Sequence, residues 1–188
     1  MTLLKLWFCG IRIIWSNFRF RKSIKEYTSK RPKLNSIEDI QQELNFLYGN
    51  FEFKYDDVTM LLDAMDTPPS CLNNLENAKL TDDCDGYHAA VYYALKTRLT
   101  GVTALNLVSM IAKPFTDSHS MCAFGFEGKM YLIDYINLME IPAYDDIIKY
   151  FEKEYETVCR FYCLDVWAKE SGWQNQKILM AQSGSAGQ

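Results

Sequence analysis

At 188 residues, 48% of them hydrophobic and 14% aromatic, the chain has the size of one domain plus a small appendage and enough apolar mass for a core, which excludes global disorder. The net charge of −4 is unevenly spread: residues 1–35 hold nine Lys/Arg against Glu26 alone, giving +8, and the remainder carries −12. Six cysteines without a secretory leader or a regular cysteine framework point to free thiols in a reducing, cytoplasmic setting, and their scatter lacks the paired short spacings of a structural zinc site, so no metal is expected.

Residues 1–25 read as an amphipathic helix, with Leu3, Leu4, Trp7, Phe8, Ile11, Ile14, Trp15 and Phe18 recurring on one side. Lys5 and Arg12 interrupt the apolar run of roughly 20 residues that a membrane span needs. The favoured role for residues 1–35 is packing on the domain or on a protein partner. A membrane surface comes second. Nucleic acid comes last, because the basic residues are few and no base-reading motif accompanies them.

Lys30 to Asn35, with Pro32 at its centre, reads as a linker. Ser36 caps a helix that places Glu38 and Asp39 in its first turn. Ile37, Ile40, Leu44 and Leu47 form its apolar face, and Gly49 or Asn50 suits a left-handed cap. Phe51 to Tyr55 is a short extended piece, and Asp56 or Asp57 starts a short helix that Thr67-Pro68-Pro69-Ser70 breaks. Residues 70–83 form a polar loop. A helix from about Cys84 to about Leu99 follows, apolar on nearly all sides and therefore buried. Three strands are expected next, at Val102–Ile111, Ser118–Phe126 and Lys129–Tyr135, the last two joined by Glu127-Gly128. Residues 144–158 read as a helix, Arg160–Trp167 as a strand, and 182–188 as a loose tail. The expected organisation is a basic N-terminal helix and linker over 1–35, an α+β domain over 36–181 and the tail.

The run Thr81-Asp82-Asp83-Cys84-Asp85-Gly86-Tyr87-His88 concentrates the chemistry. Asp82 or Asp83 can cap the helix, which puts Cys84 in its first turn, where free N–H groups and the helix dipole favour a thiolate. The three aspartates oppose that effect. His119 stands at the start of one strand and Asp134 at the end of its hairpin partner. A turn centred between residues 126 and 127 sets the two opposite each other across the ladder. A carboxylate so placed orients an imidazole, and the imidazole can activate a thiol carried to the sheet by the helix. His88, one turn after Cys84, is the competing base, and it ranks lower because no carboxylate is evidently placed to hold it.

Asp83-Cys84-Asp85-Gly86-Tyr87-His88-Ala89, followed by Ser118-His119-Ser120 and Tyr131-Leu132-Ile133-Asp134, resembles the transglutaminase-like cysteine protease family, over about residues 50–140. The Tyr55-Asp56 and Thr67-Pro68 pieces are similar to the segment before the cysteine in small bacterial and phage members. The resemblance implies a papain-like α+β core, in which a nucleophile helix packs on a small antiparallel sheet. It implies Cys84 as nucleophile, His119 as general base and acid, and Asp134 as orienter. The chain departs from the family pattern at Asp82, where many members have Gly, and at Gly86, where an acid is common. The implied activity is thiol-dependent amide hydrolysis or acyl transfer on a protein or peptide, with no metal or organic cofactor, in the cytoplasm or, for a viral member, in the host cytoplasm or the virion. The alternative is an inactive scaffold of the same fold, anchored through residues 1–35. A weaker resemblance is to NlpC/P60 cell-wall peptidases, whose Gly-Asp-Leu segment before the histidine is missing here.

Overall fold

The computed structural model describes residues 18–54, 71–73, 79–113, 118–167 and 174–180. The stretch 1–17, the short helix expected after Asp56 or Asp57, and the tail 182–188 lie outside the described residues. In chain order the elements are α1 (Arg21–Lys30), α2 (Ile37–Gly49), β1 (Phe51–Phe53), β2 (Leu80–Asp82), α3 (Cys84–Arg98), β3 (Ala104–Lys113), β4 (His119–Phe126), β5 (Lys129–Asp134), β6 (Asn137–Ile141), α4 (Tyr144–Glu154), β7 (Val158–Trp167) and β8 (Gln174–Met180).

The fold is mixed α+β. Six strands form one antiparallel sheet in the order β6-β5-β4-β3-β7-β8. Strand β4 is buried along its whole length, because both faces of the sheet are covered there, and a strand covered on both faces needs no polar alternation. Alternate residues nevertheless serve two different cores. Cys122, Phe124 and Phe126 join Leu107, Tyr131 and Ile133 against the small apolar surface of α3 (Ala89, Ala90, Val91, Ala94). Met121 and Ala123 join Val108, Met110 and Leu132 against Ile147 and Phe151 of α4. The sheet is thus sandwiched between the cysteine-bearing helix and α4.

The β4–β5 turn is Glu127-Gly128, both at positive φ (50° and 77°), the backbone of a two-residue hairpin loop that matches strand twist. Ser36 caps α2 by accepting from the Asp39 N–H at 3.1 Å. The other end of α2 departs from the expected left-handed cap. Asn50 has φ −104° and closes the helix with its own groups, its N–H donating to Leu47 and its Nδ2 to the Phe46 carbonyl at 2.9 Å. The side-chain amide satisfies an end carbonyl that a left-handed residue would otherwise have met.

Residues 80–82 are a strand where a loop was expected. They pair in parallel with β1, Phe51 opposite Leu80 and Phe53 opposite Asp82, so the chain enters the cysteine turn from a fixed strand. Strands β6 and β8 were not anticipated either. Residues 27–35 are stitched to the domain. Tyr27 and Leu34 are buried, and Leu34 bridges Leu99 through backbone bonds to Arg98 and from Thr100. Beneath them Glu43 accepts from the Tyr27 hydroxyl and pairs with Arg98 at 2.5 Å. Arg98 also donates twice to the Pro32 carbonyl, at 3.1 and 3.0 Å. No helix among the described residues is long and apolar enough to cross a membrane.

Candidate active site

Asp83 is the helix cap. Its carboxylate accepts from the Asp85 N–H at 3.0 Å, and its own N–H donates to Asp82 at 2.9 Å. Cys84 follows as the first residue of α3 and is partly exposed. Its own N–H and that of Ser120, at the start of β4, favour the thiolate. Burial and the charges of Asp83 and Asp85 outweigh them, and the thiol is pushed up to about 12. Of the opposing influences read from the sequence, desolvation and the flanking acids therefore dominate the helix terminus in the resting site.

Gly86 explains the aspartate before the cap. A Cβ at position 86 would lie 2.0 Å from the Asp82 Oδ2 and 2.9 Å from the Asp82 Cβ. The Asp82 side chain occupies the space that any side chain at 86 would need. The acid at 82 and the glycine at 86 are therefore one compensated pair.

His119 and Asp134 come together. The His119 Nε2 lies 2.8 Å from the Asp134 Oδ1, and both residues are buried. The register differs from the direct opposition expected. The ladder runs from Cys122 opposite Ile133 to Phe126 opposite Lys129, so the turn sits one residue later than expected and Asp134 lies diagonal to His119. The slip changes the register by an even number of positions, which leaves both side chains on the same face, and a diagonal pair is within reach of a long ring. Asp134 is further held from α4 and its C-cap. The hydroxyls of Tyr150 and Tyr155 each donate to its Oδ2 at 2.8 Å. Burial alone would raise its pKa. The hydrogen bond and charge of His119, with the Tyr150 donor, hold it below the ordinary carboxylate value instead. Asp134 is therefore ionised, an acceptor only, and the His119 Nε2 carries the hydrogen, leaving Nδ1 as the basic nitrogen of the neutral ring.

His88 has a different role from that of a free base. Its Nδ1 donates to the Cys84 carbonyl at 2.7 Å, and its Nε2 accepts from the Tyr135 N–H at 3.0 Å. The bond from Tyr135 requires a lone pair on Nε2, which fixes the neutral Nδ1–H tautomer. The ring is fully buried; burial first, and then the neighbouring His119, lower its pKa to about 3. Tyr135, at φ 51°, is the residue after Asp134. Its ring lies among His119, His88 and Tyr87, with centroids 5.5, 5.2 and 5.6 Å away. The ring of His119 also packs at a tilt against that of Tyr155, with centroids 4.6 Å apart.

Donor atoms of His88, His119 and Asp134 lie within 4.8 Å of one another. Both nitrogens of His88 and both oxygens of Asp134 are already engaged within the protein, so the trio is a hydrogen-bonded cluster rather than an open ligand set. Tyr135, Tyr150 and Tyr155 were not singled out from the sequence. The available signal was indirect: a carboxylate at a buried strand end needs more donors than one imidazole offers. No family model matches this chain, and no curated protein matches it.

Proposed function

We propose that the protein is a cysteine-dependent amide hydrolase or acyl transferase with a papain-like, transglutaminase-like core, in which Cys84 is the nucleophile, His119 the base and acid, and Asp134 the orienter. The observation that carries the reading is the His119 Nε2–Asp134 bond of 2.8 Å at the head of the strand whose next residue, Ser120, has a backbone N–H that favours the Cys84 thiolate. The thiol proton passes to the His119 Nδ1 as sulfur adds to the carbonyl carbon of an amide. The Cys84 N–H, in the first turn of α3, donates to the developing oxyanion. The imidazolium then protonates the departing amine, the C–N bond breaks and a thioester remains. Water or a second amine, deprotonated by His119, displaces the sulfur, and the proton returns to the thiolate. The substrate is a protein or peptide amide.

The high resting pKa of Cys84 describes a thiol whose proton has only water to go to. Transfer to His119 replaces a lone buried anion by an ion pair, which the same surroundings favour. That value also motivates a second reading, an inactive scaffold of this fold. The rate of Cys84 alkylation by iodoacetamide against pH, with the site assigned by mass spectrometry, separates the two. Under the catalytic reading Cys84 reacts fastest of the cysteines, and His119→Ala slows it by about a hundredfold or more, the usual scale of a lost general base. If Cys84 reacts slowly and is indifferent to His119, the scaffold reading stands.

A further inference from the structure

The nucleophile and the His119–Asp134 pair are held by different layers. Asp134 is fixed from the α4 side by Tyr150 and Tyr155. Cys84 belongs to α3 on the other face. Among the described residues, one side chain joins the backbone of the proposed nucleophile to the backbone just beyond the proposed orienter. That side chain is the fully buried His88, with 2.7 Å to the Cys84 carbonyl and 3.0 Å to the Tyr135 N–H.

We infer that His88 is a positioning residue of the proposed site: as a neutral Nδ1–H imidazole it clasps the first turn of the cysteine helix to the β5–β6 turn, and so fixes Cys84 relative to His119 and Asp134. The inference rests on the proposed function. Three further observations support it. The Cys84 carbonyl already serves the helix ladder at this position, so a second donor there restrains its peptide plane beyond what the helix requires. The hydroxyl of Tyr87, the neighbour of His88 on α3, donates to the Tyr135 carbonyl at 3.3 Å, so both backbone groups of Tyr135 are tied to the helix. The His88 ring also stands edge-on to His119, with centroids 5.6 Å apart, and limits how far the catalytic imidazole can swing. A protonated His88 could not accept from Tyr135, so the clasp requires the neutral form, and burial enforces it. The charged or polar groups facing the ring are His119 from β4, Asp134 from the end of β5, the rings of Tyr87 and Tyr135 with centroids 5.1 and 5.2 Å away, and the Cys84 carbonyl and Tyr135 N–H of the clasp itself.

The chain has two histidines, which makes the test direct. Histidine ring nitrogens are labelled with 15N in the full-length protein, and their spectra are followed from about pH 5 to pH 8, the range in which an ordinary imidazole titrates. His88 is expected to give a protonated Nδ1 and a bare Nε2 throughout, with the assignment checked by the loss of this signal in His88→Asn. A titrating His88, or one protonated at Nε2, overturns the inference. Alkylation of Cys84 is then compared in the parent, His88→Asn, His88→Gln and His119→Ala. Asn can still donate to the Cys84 carbonyl, and Gln can still accept from Tyr135, but neither spans both groups. Each is expected to slow Cys84 by about tenfold to a hundredfold, the scale of a small misplacement of reacting groups, with the pH dependence of the residual rate unchanged because the base is still His119. If either folded variant alkylates at the parental rate while His119→Ala does not, His88 positions nothing and the proposed function survives. If His119→Ala also alkylates at the parental rate, both readings fall.

Discussion

A buried neutral imidazole makes the fold sensitive to mild acid, and the size of the effect follows from His88 alone. The unfolded chain binds a proton at this residue near pH 6.5, whereas in the native protein burial and the neighbouring His119 delay binding to about pH 3. Between those values the unfolded state holds more protons than the native one, so stability rises with pH. The contribution is complete above about pH 6.5 and is lost as the pH falls toward 3. The slope inside the window is about 1.4 kcal/mol per pH unit, which gives a loss of about 2 kcal/mol on going from pH 6.5 to pH 5 and an upper limit of about 5 kcal/mol over the full window. That limit is comparable to the whole stability of a marginal domain, about 5 kcal/mol, and it is reached only near pH 3, so His88 and the carboxylates are expected to act together in acid unfolding. Asp134 acts in a lower window: its depressed pKa contributes stability that is lost only below the ordinary carboxylate range. The assay is urea unfolding at a series of pH values, in a His119→Gln background that removes the second imidazole. His88→Phe in that background is expected to be less stable throughout, because the Cys84 carbonyl and the Tyr135 N–H lose a partner, and to lose the slope between pH 6.5 and pH 5. Parallel pH profiles with and without His88 would refute the argument.

Three further perturbations test other parts of the site and its support. Gly86→Ala forces its methyl group into Asp82; thermal or urea unfolding should show a loss of about 1–3 kcal/mol, as for other overpacked positions, and Asp82→Gly should recover most of it, a coupling that a double-mutant cycle reads directly. Tyr155→Phe removes one of two hydroxyl donors to the ionised Asp134, with an expected cost of about 1.5–3 kcal/mol and an upward shift of the Asp134 titration measured by carboxyl 13C NMR; an unmoved titration would contradict the assigned bond. Glu43→Gln leaves Arg98, 2% exposed, without its carboxylate, and chemical denaturation should show a loss of about 3–5 kcal/mol; a change under 1 kcal/mol would mean that the N-terminal segment is not anchored through this cluster.

The parts of the fold legible in the sequence are those with a long period or a cap. The Ser36 and Asp83 caps, the all-round apolar helix from Cys84, and the β4–β5 hairpin with glycine in its turn each carry a local signal several residues long. The elements that escaped notice have none. Leu80-Thr81-Asp82 is too short to show a period, and it becomes a strand only because β1 lies beside it. The β5–β6 turn uses Tyr135 at positive φ in place of the glycine or asparagine that would have announced it, so β6 was hidden behind a turn that does not look like one. In the site, the parity of His119 and Asp134 could be read from the hairpin, whereas their diagonal offset depended on whether the turn was centred one residue earlier or later. The two tyrosines on Asp134 come from α4 and its C-cap, and no spacing within the chain links them to a strand end. The clasp by His88 was also out of reach, because it depends on where the β5–β6 turn meets α3.

The aspartates around Cys84 do work that is incompatible with a permanently ionised thiol. Asp83 closes the helix terminus by accepting from Asp85, and Asp82 accepts from Asp83 while filling the space above Gly86. Together they build the turn that presents the sulfur, and their cost is electrostatic, since Asp83 and Asp85 stand among the causes that raise the thiol. A cysteine activated by the helix terminus alone would be reactive towards any electrophile. Under the proposed reading the proton leaves for His119, an imidazole whose Nε2 is committed to an ionised, threefold hydrogen-bonded carboxylate. Under the proposed reading, reactivity is therefore conditional on the meeting of two separately anchored groups, Cys84 on α3 and His119 on β4. In that reading, the acids that build the cysteine turn keep the thiol protonated until His119 takes the proton.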